Sequence, residues 1–452
     1  MHILSKSTYI KGLQCEKALY MQKKHPYLRD KLSIEQRAKF QRGTDVGVLA
    51  HEVFPDGIDM SPNSPSQFPK KVAETWANLS NPEVKVMYEA VFQYNDTLIM
   101  LDMLVREGDK WLAVEVKSSM RLSDTYYNDA ALQYYVLHGC GVPLSDFRLM
   151  YLNPDYVKNG NIDVKQLFKM ESVIEYVVER EAFVAKNVER LKAVVALPHA
   201  PVVEIGEQCD NPYPCDFYGH CWKYVREPNF YTVDYKTLYS LVPQPKPKSI
   251  AYLNLLLYRP AVPELDGTKP YEEMILGFAL QGEHENAAAM SFQQGATAAM
   301  SSLQEHVGSL GSMAAANNCF VWDCFDDHSR WKEAIDLLIE KLSHYELIVC
   351  FTPQNLSTTL LRHEIIQNQT IGYKVFNLFE VLQEAHFYHP AIKRGLTLQR
   401  LETALFSDTK LFEHSRILLE ATNHDLISYQ QAREDLIAEN KIVAKTYQLF
   451  FK

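Results

Sequence analysis

A dense pair of apolar runs lies over Thr97–Ser119, TLIMLDMLVREGDKWLAVEVKSS. It predicts two strands, Thr97–Val105 and Trp111–Lys117, rich in apolar and β-branched residues. Between them, Arg106–Lys110 contains the Gly108-Asp109 step that suits a hairpin turn. Upstream, Val84–Tyr94 predicts a third strand, with Asn95-Asp96 as a two-residue turn. Three charged side chains interrupt the apolar pattern: Asp102, Glu115 and Lys117. Strand side chains alternate faces, so Glu115 and Lys117 share one. Antiparallel pairing about Gly108 sets Asp102 opposite Val114 or Glu115, and if Tyr94 faces Thr97, then Glu89 faces Asp102. Three carboxylates and a lysine then line one patch. Like charges opposed across strands destabilise a sheet, and a cation would offset them.

Around this meander, helical periodicity covers Leu4–Tyr20, with Cys15 inside it. Ser33 to Gln36 fits a capping box and opens a helix running to about His51, which sets Gly43, Gly47 and His51 on one face. A short helix is predicted around Lys70–Leu79. Ser123 caps another through about His138, carrying Gln133, Tyr134 and Tyr135. Phe147–Asn153 reads as a fourth strand, and Val164–Leu197 as one long helical stretch ending at Pro198. The sum is an α/β core. The Pro/Lys run Val242–Ser249 marks a boundary, giving a domain over 1–230, a linker over 231–249 and a second domain over 250–452. In the latter, Ile250–Leu257, Cys319–Cys324 and Leu347–Phe351 read as strands. Trp331–Leu342 and Val375–Glu384 read as helices, and 285–318 as an insertion.

Composition narrows the class. With 47% hydrophobic and 23% charged residues and no apolar run of about 20 residues, the expectation is a soluble cytoplasmic protein without a membrane span. The formal net charge of −10 argues against a non-specific nucleic-acid coat. Residues 1–42 nevertheless carry ten basic against three acidic side chains, enough to track a phosphate backbone locally.

The carboxylate patch suits metal-dependent phosphodiester hydrolysis. Asp102 and Glu115, with the Val116 carbonyl, offer an oxygen shell for Mg²⁺ or Mn²⁺. Lys117 would orient water and neutralise developing charge. Three of the eight cysteines cluster as Cys209, Cys215 and Cys221, one thiolate short of a tetrahedral set. Either His220 or the distant Cys15 would complete it.

Together these pieces resemble the RecB-type nucleases of the PD-(D/E)XK superfamily that are closed by an iron–sulfur staple, among them the CRISPR-adaptation exonucleases. The resemblance implies a restriction-endonuclease-like core. Its Gly-x-x-x-His motif falls on Gly47 and His51, its Asp on Asp102, its Glu-x-Lys on Glu115-Val116-Lys117 and its Gln on Gln133. It implies a [4Fe–4S] cluster on Cys15, Cys209, Cys215 and Cys221, and His51 as a further metal ligand; Glu89 is added from the hairpin register. The last three cysteines are more evenly spaced than that pattern, and the tyrosines follow Gln133 directly.

The segments SKSTYIKGLQCEKALY and CDNPYPCDFYGHCW resemble, more closely, a bacterial family that fuses this nuclease to an RNase H-like, exonuclease-type domain. That implies acids where this chain has Asn254, Leu256, Thr352 and Asn377, and so a second domain without catalysis, kept to bind nucleic acid or a protein partner. The expected function is a DNase; the rival readings are a nucleic-acid-binding scaffold and a zinc-stabilised interaction module.

Overall fold

The computed structural model describes residues 2–32, 34–225, 232–284, 314–316, 319–352, 375–389, 392, 396–406 and 426–451. The chain divides into two units: Met1–Val225 with Ala261–Tyr271, and Arg226–Pro260 with Glu272–Lys452. Both are mixed α/β, and no described helix is long and apolar enough to cross a membrane. The segment expected as a linker over 231–249 is built into the second unit. Thr232 bridges to Tyr388, and Leu238 is fully buried.

The first unit is a seven-stranded sheet of β1 (Leu4–Ser5), β2 (Ile58–Asp59), β3 (Val86–Tyr94), β4 (Thr97–Glu107), β5 (Lys110–Lys117), β6 (Leu144–Leu152) and β7 (Phe168–Ser172). The order is β2-β3-β4-β5-β6-β7, with β1 also paired to β4. The meander turns follow from their residues. Asn95 and Asp96 both take positive φ, 46° and 57°, as a two-residue turn between twisted strands requires, and Gly108 does so at 62°. Helix α5 (Asp124–Gly139) then carries the chain across one face, so β6 lies parallel to β5.

Two apolar layers clamp the sheet. One face packs Phe92, Leu101, Ala113 and Leu149 against α1 (Lys6–Gln14), α2 (Glu16–Lys24), α5 and the helix Glu181–Ala196. The other packs Tyr88, Met103 and Val114 against Val46 and Ala50 of α3 (Ile34–Ala50). Burying each large apolar side chain contributes roughly 1.5–3 kcal/mol.

Several expected elements differ. Leu4–Tyr20 is not one helix: Cys15 sits in the break between α1 and α2, its backbone extended at φ −159° and ψ 117°. Val164–Leu197 splits into the helix Val164–Leu167, β7 and the helices Ile174–Glu179 and Glu181–Ala196. Sheet pairing outweighs helical propensity there, because Phe168–Ser172 completes an antiparallel ladder with β6. His51 lies past the end of α3, in the short 3-10 turn His51–Val53. The expected cap at Ser33 falls outside the described residues.

The second unit's sheet contains β8 (Ser249–Tyr258), β9 (Met274–His284), β10 (Ala314–Ala316), β11 (Cys319–Asp323), β12 (Leu347–Cys350) and β13 (Val375–Asn377), in the order β10-β11-β9-β8-β12-β13. It is antiparallel from β10 to β8 and parallel from β8 to β13. Val375–Asn377, expected as helix, is a strand, because it meets the free edge of β12; the helix starts at Leu378. Most of the insertion at 285–318 lies outside the described residues.

Candidate functional site

The chemistry centres on a fork in the first sheet. On one side of β4, Thr97 and Leu98 pair with Leu4 and Ser5 of β1, whereas Met103 to Glu107 pair with β5. Asp102 stands where β1 and β5 part. The last rung to β5 is Met103↔Val114, so extending the register brings Asp102 level with Glu115. Instead of a backbone rung, the Asp102 carboxylate accepts the Val116 N–H at 2.6 Å.

On the other side, Tyr94 pairs with Thr97, and the rungs Tyr88↔Met103 and Ala90↔Leu101 bracket Glu89 and Asp102. Glu89 takes φ +51°, a left-handed conformation uncommon for a side chain of its size and found where neighbours enforce it. Face alternation slips there on both strands. Tyr88 and Met103 belong to the α3 layer, while Ala90 and Leu101 belong to the α5 layer. The paired kink delivers Glu89 and Asp102 together to the mouth of the fork.

Two lysines enter it. Lys6, the first residue of α1, donates to Glu115 Oε1 at 2.7 Å, and Lys117 donates to the same oxygen at 2.7 Å. Lys117 also pairs with Asp129 of α5 and lies over the Tyr126 ring, 5.1 Å from its centroid. Glu115 is 1% exposed, and its second oxygen, Oε2, is buried without a hydrogen-bond partner among the described residues. Gln133, one turn beyond Asp129 on α5 and fully buried, has neither its amide oxygen nor its nitrogen bonded to a described residue. Such orphans each cost about 1–3 kcal/mol and are normally satisfied by something.

Electrostatics point the same way. Burial opposes ionisation of Glu115, but Lys117 and Lys6 outweigh it and hold that carboxyl well below its usual range. Burial, with Glu115 adding repulsion, raises Asp102 well above its usual value. Burial chiefly, then Glu115 and Asp59, raises Glu89. Burial also raises Asp129 against the pull of Lys117. Around one buried ion pair the fork therefore holds more carboxylate than the two ammoniums neutralise.

His51 packs against β3. Its ring stacks on Tyr88 at 3.8 Å with 3° between planes, and burial lowers its pKa while Asp59 of β2 opposes the shift. Asp59 is the electrostatic neighbour it shares with Glu89. A Cβ on Gly47 would meet nothing within 4 Å, so the space beside that glycine is open. Sequence reasoning missed Lys6, Asp59 and Asp129. The i, i+4 spacing from Asp129 to Gln133 was a usable signal on a helix. Nothing near Lys6 marked it.

Cys15, Cys209, Cys215 and Cys221, all free, line one cavity with Met21 and Phe217. Cys15 comes from the α1–α2 break and the other three from the far end of the unit, while His220 is not in the lining. Burial raises the Cys221 thiol and pushes Cys215 up to about 11. Gln14 anchors the cysteine loop by donating to Gln208 O at 2.8 Å and Tyr213 O at 2.6 Å. Among the described residues, no three or more His, Cys, Asp or Glu side chains stand close enough together to hold a metal ion.

In the second unit, two of the positions where acids were expected bond each other, and a third bonds an acid from the last helix. Asn377 donates to Thr352 O at 2.9 Å and accepts the Thr352 N–H at 3.2 Å; Asn254 donates to Glu439 at 2.7 Å. Asp323, fully buried, is held by Arg433 through two bonds of 2.5 and 3.0 Å.

No family model matches the chain, and no curated protein does. Among solved structures, one described as "Crystal structure of SSO0001" aligns over 44% of this chain and 87% of its own, at 10% identity and a TM-score of 0.16. A likeness that slight carries no argument about fold or function.

Proposed function

We propose that the first unit is a Mg²⁺- or Mn²⁺-dependent DNase of the RecB-type PD-(D/E)XK kind, with a structural cysteine-held centre. We propose further that the second unit is a non-catalytic RNase H-like domain that binds substrate or a protein partner. The observation that carries the reading is Glu115 Oε2, a buried carboxylate oxygen without a partner, beside Asp102 and Glu89 at a fork in the sheet. Hard oxygen donors in excess of nearby ammonium charge fit a divalent cation. Asp102, Glu115 and the Val116 carbonyl would hold it, with Glu89 facing them and His51 at the margin.

When bound, the cation would lower the pKa of a coordinated water and polarise the phosphate. The chain's own residues supply the rest. Lys117, fixed between Glu115 and Asp129, keeps its proton, since those carboxylates outweigh burial and raise its pKa. It is thereby set to orient the attacking water and to donate to a phosphate oxygen as charge builds. Gln133 offers one donor and one acceptor from a rigid helix, both unspent. Asp102 holds β5 through Val116, which keeps Glu115 and Lys117 in register with β4.

The four-thiol cavity fits a thiophilic centre. A [4Fe–4S] cluster there would tie the two ends of the unit, with zinc as the alternative for the same donors. The antiparallel-then-parallel order of the second sheet supports the RNase H-like reading, and its Asn377–Thr352 network supports the lack of catalysis. A non-catalytic nucleic-acid scaffold is the second reading, favoured by the pairing that already neutralises Glu115 Oε1.

The test is cleavage of end-labelled single- and double-stranded DNA by anaerobically purified protein with Mn²⁺, beside Lys117→Ala. Cleavage by wild type alone supports the nuclease. Binding without cleavage by wild type favours the scaffold.

A further inference from the structure

Lys6 has no part in the expected site, yet its ammonium touches the site's most buried carboxylate. It lies at the first position of α1, where a positive charge is disfavoured by the helix dipole. It makes no contact that the helix needs. The N-terminus is held by Ser5 and Thr8, whose side chain accepts the Ser5 N–H at 2.7 Å, and by Leu4, fully buried. The side chain instead runs into the fork, to Glu115 Oε1 at 2.7 Å, the oxygen that Lys117 already engages. Two cations crowd one oxygen while Oε2 of the same carboxylate is left buried and unpartnered.

We propose that Lys6 is a positioning residue that serves as a second, built-in cation of this site. With Lys117 it occupies Oε1, leaving Oε2 as the oxygen that a divalent ion would take, and it adds positive charge among the surplus carboxyl groups. The proposal rests on the reading of the fork as a divalent-cation site. The Lys117–Glu115 and Lys117–Asp129 pairs remain when Lys6 is removed, so its loss chiefly subtracts charge. A site with one fewer positive charge binds a divalent cation more tightly but gives less stabilisation to an anionic phosphate.

The experiment is Mn²⁺ titration by calorimetry of the full chain as wild type, Lys6→Met and Lys6→Arg, with DNA cleavage measured alongside. Lys6→Met is expected to bind Mn²⁺ about tenfold more tightly and to cleave about 100-fold more slowly. Lys6→Arg, which keeps the charge, should return both values toward wild type. A merely structural lysine predicts the reverse: weaker Mn²⁺ binding and a lower melting temperature in Lys6→Met, unrescued by arginine. That outcome, or unchanged Mn²⁺ affinity, overturns the proposal. If Lys6→Met fails to fold, Lys6→Gln serves in its place, and wild-type affinity there overturns the proposal equally. Absence of cleavage in wild type would count against the nuclease while the Mn²⁺ shift still judged Lys6. Absence of Mn²⁺ binding in wild type would remove the cation site and the proposal with it.

Discussion

The Asp102 carboxylate accepts the backbone N–H of Val116 at 2.6 Å, just past the point where the ladder between β4 and β5 stops. One side chain thus replaces a backbone rung and places a carboxyl group at the open fork.

That dual task predicts a separation of effects. Asp102→Asn keeps an acceptor for Val116 N–H but removes the charge, so the melting temperature should hold while Mn²⁺ binding and cleavage are lost. Lys117→Ala should reduce cleavage by about 10²–10³-fold, with the cysteine-held centre left in place. Cleavage assays beside circular-dichroism melts read both. Normal activity in either variant would refute the assignment.

Gln133 offers a trade-off between stability and function. Its buried amide has no hydrogen-bond partner among the described residues, so Gln133→Leu should stabilise the metal-free protein by about 1–3 kcal/mol. The same change should lower cleavage. A destabilised Gln133→Leu protein would mean that the amide is satisfied in the resting state.

The raised carboxyls make stability depend on pH. Asp102 and Glu89 are raised from 3.8 and 4.5 in the folded chain. Above those values the folded protein keeps protons that the unfolded chain has lost, so stability falls as pH rises toward the folded values. Glu115, shifted down, acts in the opposite sense only near and below 4.5. The melting temperature of metal-free protein should therefore drop as pH rises above the ordinary carboxyl range, and drop less with saturating Mg²⁺, which replaces those protons. A flat profile without metal would contradict the raised values.

For the cysteines, metal analysis and visible absorbance separate the candidate centres. An iron–sulfur cluster is coloured and Zn²⁺ is not. Cys15→Ser and Cys215→Ser should each lose the bound centre, whereas Cys140→Ser, outside the cavity lining, should retain it. Equal metal content in all three would detach the cavity from metal binding.

In the second unit, Asp323→Ala removes a buried carboxylate that Arg433 holds from a partly exposed position, and should cost about 1.5–3 kcal/mol. DNA cleavage by the folded fraction should be unchanged if catalysis belongs to the first unit. A selective loss of cleavage without loss of stability would give the second unit a part in the reaction.

Much of this was legible in the chain because it depends on local pattern. Alternation and turn residues located the meander, and Tyr94 pairs with Thr97 as Asn95-Asp96 implies, which brings Glu89 level with Asp102. Capping and spacing placed Gln133 on its helix. Local pattern misled where a tertiary partner competed. Phe168–Ser172 became a strand at the edge of β6, Val375–Asn377 became one beside β12, and Cys15 came to rest between helices.

By itself, then, the sequence determined the three strands of the meander, how they register and which carboxylates that register brings together, since all of these follow from side-chain period and turn chemistry. The tertiary structure alone decided that β1 and β5 part at Asp102, that the left-handed Glu89 reverses the faces of two strands, and that Cys15 joins three cysteines from the far end of the unit. It alone brought Lys6 onto Glu115. These depend on contacts between segments distant in the chain, whose meeting is set by packing of whole layers and leaves no periodic trace.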